Sequence, residues 1–232
     1  MSEIQQTKPE IIPTGKIMWE TPRTLNPEDR EALLQLIRQE VMKNPKEWLF
    51  NDVWTLDVHD EKHSTKKIPR KKYMEHLVDI WMKEKLLLID KSRQMMISWL
   101  FVALHLWDAM YHDGRHYYFV SKKADDANAI LDRAKFIYYH LPEELKVAPV
   151  HDKYCLLEFP ERNSKIEAVS QESDAIRSRT ATGIFDDEMA FQQYAHEIYA
   201  AARPTIEGGG RFTGVSTANG KEFHYRLCYD LE

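Results

Sequence analysis

Three features of this 232-residue chain predict an α/β fold, with a largely parallel central sheet flanked by helices and a small helical N-terminal extension. Short apolar runs alternate with longer stretches of helical spacing, the pattern of strand–helix–strand units. Hydrophobic residues make up 43% and charged residues 30%, enough apolar material for a sizeable core in a water-facing protein. Polar and charged residues gather directly after the apolar runs, where parallel sheets bind their ligands. The expected division is 1–68 as N-terminal arm and helical subdomain, and 69–232 as the main α/β domain.

Residues 1 to about 25 carry scattered prolines without periodicity and read as a surface arm. Asn26-Pro27 then gives an N-cap followed by proline at the first helical position. Leu33, Leu34, Ile37 and Val41 form one stripe of a helix ending near Asn44-Pro45. From Lys46 to Pro69 the chain is mixed, with Trp48, Phe50 and Trp54 able to dock it on the body. The basic run Lys62, Lys66, Lys67, Arg70, Lys71 and Lys72 reads as a solvated connection, or as a DNA or subunit contact. Residues 71–84 suit a helix with Leu77, Ile80 and Trp81 inward. Leu86–Asp90 is expected to be a fully buried strand. Trp99, Leu100, Ala103, Leu104, Trp107 and Met110 recur at helical spacing up to Gly114. His116–Ser121 reads as a strand and 124–140 as a helix. Tyr154–Phe159 and Lys165–Val169 read as paired strands joined at Pro160-Glu-Arg-Asn. An apolar run ending in Asp186-Asp187-Glu188, a helix over 194–202 and the strand Phe212–Ser216 complete the alternation.

Two motifs carry chemistry. Asp-Glu closing an apolar strand is what an ATPase uses to hold Mg²⁺ and to orient the attacking water. Upstream, strand Leu86–Asp90 is followed by Lys91-Ser92-Arg93-Gln94-Met95-Met96-Ile97-Ser98-Trp99 and then a helix. Strand, short loop and helix is the setting in which backbone amides cradle phosphate. Aligning Ser98 with the terminal hydroxyl of G-x-x-x-x-G-K-[ST] puts Ile97 at the lysine, Met96 at the second glycine and Lys91 at the first. The standard lysine is therefore missing, and Lys91 and Arg93 would have to supply its charge from the start of the loop. Met96 stands where glycine normally allows positive φ. On spacing alone, an ordinary polar strand-to-helix turn fits as well.

The combination of Lys91–Trp99, Asp187-Glu-Met-Ala-Phe191 and Ser216-Thr-Ala-Asn-Gly220 resembles the N-terminal ATPase domain of bacteriophage large terminases, the motors that package DNA into proheads. Glu197-Ile-Tyr-Ala-Ala, Arg203-Pro-Thr, Gly210-Arg-Phe and Asn219-Gly-Lys-Glu-Phe223 extend the similarity, which spans roughly residues 69 to 227. One terminase group is similar in carrying Lys-x-Arg-Gln-x-Gly-x-[Ser/Thr]. This chain departs from it at Met96, where glycine is usual, and at Asp186, where an apolar residue is usual. The resemblance implies a P-loop NTPase of the additional-strand catalytic-glutamate class, with ATP and Mg²⁺ as cofactors. It implies nucleotide contacts along the whole loop Lys91–Trp99, with Arg70 or Tyr73 at the base. Ser98 and Asp187 would hold the metal, Glu188 and Arg177 would be catalytic, and Ser216, Thr217 and Asn219 would couple hydrolysis to movement. Arg179, in the same polar loop as Arg177, is a further candidate for the arginine acting in trans, and Arg203 and Arg162 are weaker ones. Implied partners are double-stranded DNA, the portal, the small terminase subunit and a homo-oligomeric ring, with a monomer in isolation, in the host cell cytoplasm. A nuclease domain normally follows in this family and is absent here, so truncation is expected, with Leu231-Glu232 as a cloning remnant.

Net charge is −5, which argues against a stand-alone module binding DNA through a broad basic face. No apolar run approaches the ~20 residues of a membrane span, and Met1-Ser-Glu-Ile-Gln-Gln lacks the marks of a secretory signal. Cys155 and Cys228 read as structural thiols, and the histidines, His196 and His224 included, show no metal-ligand spacing. Two other readings are a nucleic-acid helicase, which would need a second ATPase-like domain, and a nucleotide-free scaffold whose phosphate loop is closed by Met96 and Ile97.

Overall fold

The computed structural model describes residues 26–57, 64–171, 176 and 181–229. A small antiparallel hairpin, β1 (Trp54–Leu56) and β2 (Thr65–Lys67), stands apart from the main sheet. That sheet has seven strands: β3 (Leu86–Lys91), β4 (His116–Ser121), β5 (His151–Lys153), β6 (Leu156–Phe159), β7 (Ser164–Ser170), β8 (Gly183–Asp187) and β9 (Arg211–Thr217). Their spatial order is β3-β9-β8-β4-β7-β6-β5. β3, β9, β8, β4 and β7 are parallel neighbours; β6 and β5 continue the sheet antiparallel.

The α-helices whose bounds are described are α1 (Pro27–Lys43), α2 (Pro45–Asp52), α3 (Lys72–Lys83), α4 (Ile97–Tyr111), α5 (Ala124–His140), α6 (Ala195–Glu207) and α7 (Phe223–Tyr229). The Asn26 side chain accepts from the Asp29 amide at 2.8 Å and starts α1, with Pro27 inside its first turn. Asn44 ends α1 and caps α2, accepting from the Lys46 amide at 3.1 Å. The mixed segment after Lys46 thus contains a helix that periodicity missed, because its buried Trp48, Leu49 and Phe50 are consecutive. α1 and α2 pack into the same apolar cluster as α3, α4 and α5.

Strand alternation assigns the sheet's residues to two cores. Tyr117, Phe119, Phe185 and Val215 join the cluster around α4, while Tyr118, Val120, Ile184 and Phe212 join the cluster around α6. α4 is buried along nearly its whole length, consistent with its apolar sequence.

Two details differ from the sequence reading. β3 is not fully buried: it lies at the sheet edge, Leu86 is 40% exposed and Leu87 to Ile89 are half-buried. A continuous apolar run does not distinguish an edge strand from a central one. In α3 the buried stripe is Met74, Val78 and Trp81, with Leu77 and Ile80 at its margins. Arg211 fixes this helix to the sheet. Its guanidinium lies 3.7 Å from the Trp81 ring centroid and donates to the Trp81 and Glu84 carbonyls.

Candidate active site

The carboxyl ends of β3, β8 and β9 lie side by side, because β9 is inserted between the other two. This order brings together residues far apart in the chain. Lys91 ends β3, and its Nζ donates to Glu188 Oε1 at 2.8 Å. Ser98, in the first turn of α4, donates its hydroxyl to Asp187 Oδ1 at 2.9 Å. The second oxygen of Glu188 accepts from the Thr217 amide at 3.2 Å and its hydroxyl at 3.1 Å.

The loop from β3 to α4 keeps a glycine-like backbone without glycine. Met96, the residue before α4, has φ 56° and ψ 18°, and Gln94 has φ 63°. Each left-handed residue costs roughly 1–2 kcal/mol relative to glycine. Met95 and Met96 are partly buried against the core. They border a cavity of about 670 Å³ together with Lys91, Gln94, Ile97, Ser98, Trp99, Arg133 and the β1–β2 residues Leu56 and Lys66. The methionines therefore line this space rather than fill it. A second cavity of about 480 Å³ lies toward Asp187, Glu188 and Thr217, with Arg93, Lys122 and Arg133 as its cations.

Asp187 is buried; loss of hydration raises its carboxyl above the ordinary range, against the hydrogen bond from Ser98 and the charge of Arg133. At Glu188 burial also acts upward, but Lys91 and Thr217 together outweigh it and hold the carboxyl low. Glu188 itself has φ 57°, a left-handed turn that ends β8 and re-aims its side chain.

Asp186 has no part in this cluster. Alternation turns it to the opposite face of β8, where it is completely buried and Gln192 donates to one of its oxygens. Among the described residues the other oxygen has no hydrogen-bond partner, and burial drives the carboxyl's pKa to about 8.

The end of β9 and the residues after it grip the turn that carries Glu188. Ser216 Oγ accepts from the Ala190 amide at 3.0 Å, and Asn219 donates to the Ala190 carbonyl at 2.9 Å. Ser216 is fully buried, so its hydroxyl braces the turn from inside. Tyr73 donates to the Met95 carbonyl at 3.1 Å and so supports the loop from behind. Arg70 is not brought to the cluster: it pairs with Glu47 at 2.9 Å and Glu75 at 2.7 Å and borders neither cavity. Ser92 and Arg93 are exposed on the loop. Arg177 and Arg179 lie outside the described residues, as does Lys62 of the basic run.

Sequence reading missed Arg133 and Lys122. Neither belongs to a local motif, and only the packing of α5 and the end of β4 against the loop brings them in. It also missed a second convergence. His224 Nε2 is 3.1 Å from Asp90 Oδ1 and 3.7 Å from Cys228 Sγ, tying α7 to β3 one residue before Lys91. The i, i+4 spacing of His224 and Cys228 was a visible signal, but the partner Asp90 is 134 residues away.

The arrangement suits a magnesium–triphosphate ligand on three counts. A serine hydroxyl and a carboxylate 2.9 Å apart are hard oxygen donors of the kind Mg²⁺ takes. The N-terminus of the 15-residue helix α4 has no side-chain cap, leaving its first amides for an anion. The neighbouring cavity has the size of a small-ligand site.

No protein-family model and no curated protein matches the chain. Solved structures do. The HK97 bacteriophage large terminase aligns at a TM-score of 0.61 and 10% identity, over 83% of this chain and 40% of that one. The Thermus phage P74-26 large terminase ATPase domain aligns at 0.53 and 18% identity, over 62% of this chain and 63% of its own. The large terminase of a second thermophilic bacteriophage aligns at 0.56 and 13% identity, over 69% of this chain and 42% of its own. The chain thus spans between two-fifths and two-thirds of these structures. Its fold is that of the large terminase ATPase domains.

Proposed function

We propose that the chain is the ATPase domain of a phage large terminase, hydrolysing ATP with Mg²⁺ to translocate double-stranded DNA within a ring of subunits. The observation that carries this reading is the paired contact Lys91–Glu188 and Ser98–Asp187 across the ends of β3 and β8. One pair joins a phosphate-binding cation to a water-orienting carboxylate, and the other joins two metal donors. Insertion of β9 between these strands supports the additional-strand catalytic-glutamate class.

In this reading Lys91 and Arg93 neutralise phosphate oxygens from the start of the loop, and the left-handed Gln94 and Met96 shape the loop around them. Ser98 and Asp187 would hold Mg²⁺, which supplies positive charge to the phosphate oxygens. Glu188 is held by the Lys91 ammonium group. When phosphate takes that group, the carboxylate is freed to accept a proton from water. Thr217 keeps it aimed, and Ser216 and Asn219 transmit the position of its turn to β9 and α7. Arg177 would act on a neighbouring subunit's nucleotide. DNA, the portal and the small subunit would be partners of the assembled ring.

Glu188→Gln tests the assignment, because glutamine can still accept from Lys91 but cannot take a proton. ATP binding should persist while turnover falls by at least about 10²-fold. Turnover near the wild-type rate would remove Glu188 from the mechanism.

A further inference from the structure

Arg133 is a cation of the candidate site that no motif announces. It reaches in from α5, its Nη1 is 3.8 Å from Asp187 Oδ2, and Ser98 holds the other oxygen of the same carboxylate. Its guanidinium lies 5.7 Å from the centroid of the Trp99 ring, next to Ser98 in α4. It is also the one described residue that borders both cavities, the larger along the phosphate loop and the smaller along Glu188 and Thr217. Among the described residues, Asp187 is the only carboxylate within ion-pair distance of it.

These contacts define two roles that cannot be filled at once. An Asp187 carboxylate that binds a divalent cation carries enough positive charge nearby to repel a guanidinium at 3.8 Å. We propose that Arg133 is the resting counter-ion of Asp187 and, when the site loads, turns about its Trp99 contact to bind the terminal phosphate of a nucleoside triphosphate. This rests on the reading of the site as one for magnesium–ATP and assigns it an arginine acting within its own chain. The guanidinium is suited to the exchange: it lies within cation–π reach of the indole and pairs with carboxylate or phosphate by the same fork.

The test is calorimetric titration of the intact chain with the non-hydrolysable triphosphate AMP-PNP and with ADP, both with Mg²⁺ at about pH 8. R133A and R133Q should bind AMP-PNP at least tenfold more weakly and ADP within threefold of wild type, with R133K recovering part of the loss. The Mg²⁺ concentration for half-maximal ADP binding should fall in R133Q, since no guanidinium need leave Asp187. Equal losses for ADP and AMP-PNP, or loss of the fold in all three variants, would make Arg133 merely structural and overturn the proposal. So would unchanged binding. If the folded wild type bound neither nucleotide, the reading of the site itself would fall first.

Discussion

Asp186→Asn probes the buried carboxyl beside the proposed metal ligand. Asp186 is completely buried, receives one hydrogen bond from Gln192 and, among the described residues, has no partner for its second oxygen. Burial, with the Asp187 charge next to it, moves its pKa from 3.8 to about 8. Between these values the native protein holds a proton that the unfolded chain has released. Stability is therefore full below about pH 4 for this group and falls as pH rises, by at most about 1.4 kcal/mol per unit. The ceiling over the whole window is about 6 kcal/mol, comparable to the entire stability of many domains. Asp187 is also raised by burial and adds a slope of the same sign. Asparagine is neutral at every pH and keeps an oxygen for Gln192. Urea unfolding at pH 5 to 9 should therefore show wild type losing stability across this range and Asp186→Asn losing much less. The variant should be the more stable protein by a few kcal/mol at pH 8.5, with its Mg²⁺ requirement unchanged. Parallel pH profiles would mean that Asp186 is ionised in the native state, and an altered Mg²⁺ requirement would return it to the metal site.

Other expectations follow from single contacts. Met96→Gly should retain nucleotide affinity within about twofold, because glycine adopts the observed φ of 56° freely; Met96→Val should lower urea stability by about 1–2 kcal/mol, since branching at Cβ worsens a left-handed residue. Burial holds His224 below its ordinary pKa of 6.5 despite Asp90, so its contribution to stability is present above 6.5 and is lost as pH falls below that toward and through the lowered native value. His224→Gln should flatten this acid limb in urea midpoints between pH 5 and 7; an unchanged limb would place its origin elsewhere.

The fold was legible where local signals agree with the tertiary outcome. The Asn26 cap, the helix of 124–140 and the paired strands around 160–163 all rest on short-range chemistry, and each recurs in the structure. What the sequence hid depends on neighbours in space. The edge position of β3 follows from strand order, which its apolar run cannot encode. The helix 45–52 buries three residues in a row instead of one stripe, so its periodicity is lost. In the site, Lys91, Ser98, Asp187 and Glu188 were visible because they sit in motifs at strand ends. Arg133, Lys122 and the Asp90–His224 contact come from separate elements and need the packed sheet to meet. Arg70, expected at the nucleotide base, pairs with two glutamates, a pairing that its place in the sequence does not announce.

The proposed phosphate contact rests on Lys91, whose side chain is only 9% exposed and whose ammonium group stands at the start of the loop instead of its end. Titration of AMP-PNP and Mg²⁺ into folded wild type and Lys91→Ala measures this directly. A charge-assisted contact to phosphate contributes about 1.5–3 kcal/mol, so the variant should bind roughly ten- to a hundredfold more weakly. Equal affinity in the two proteins, or no binding heat from the folded wild type, would contradict it.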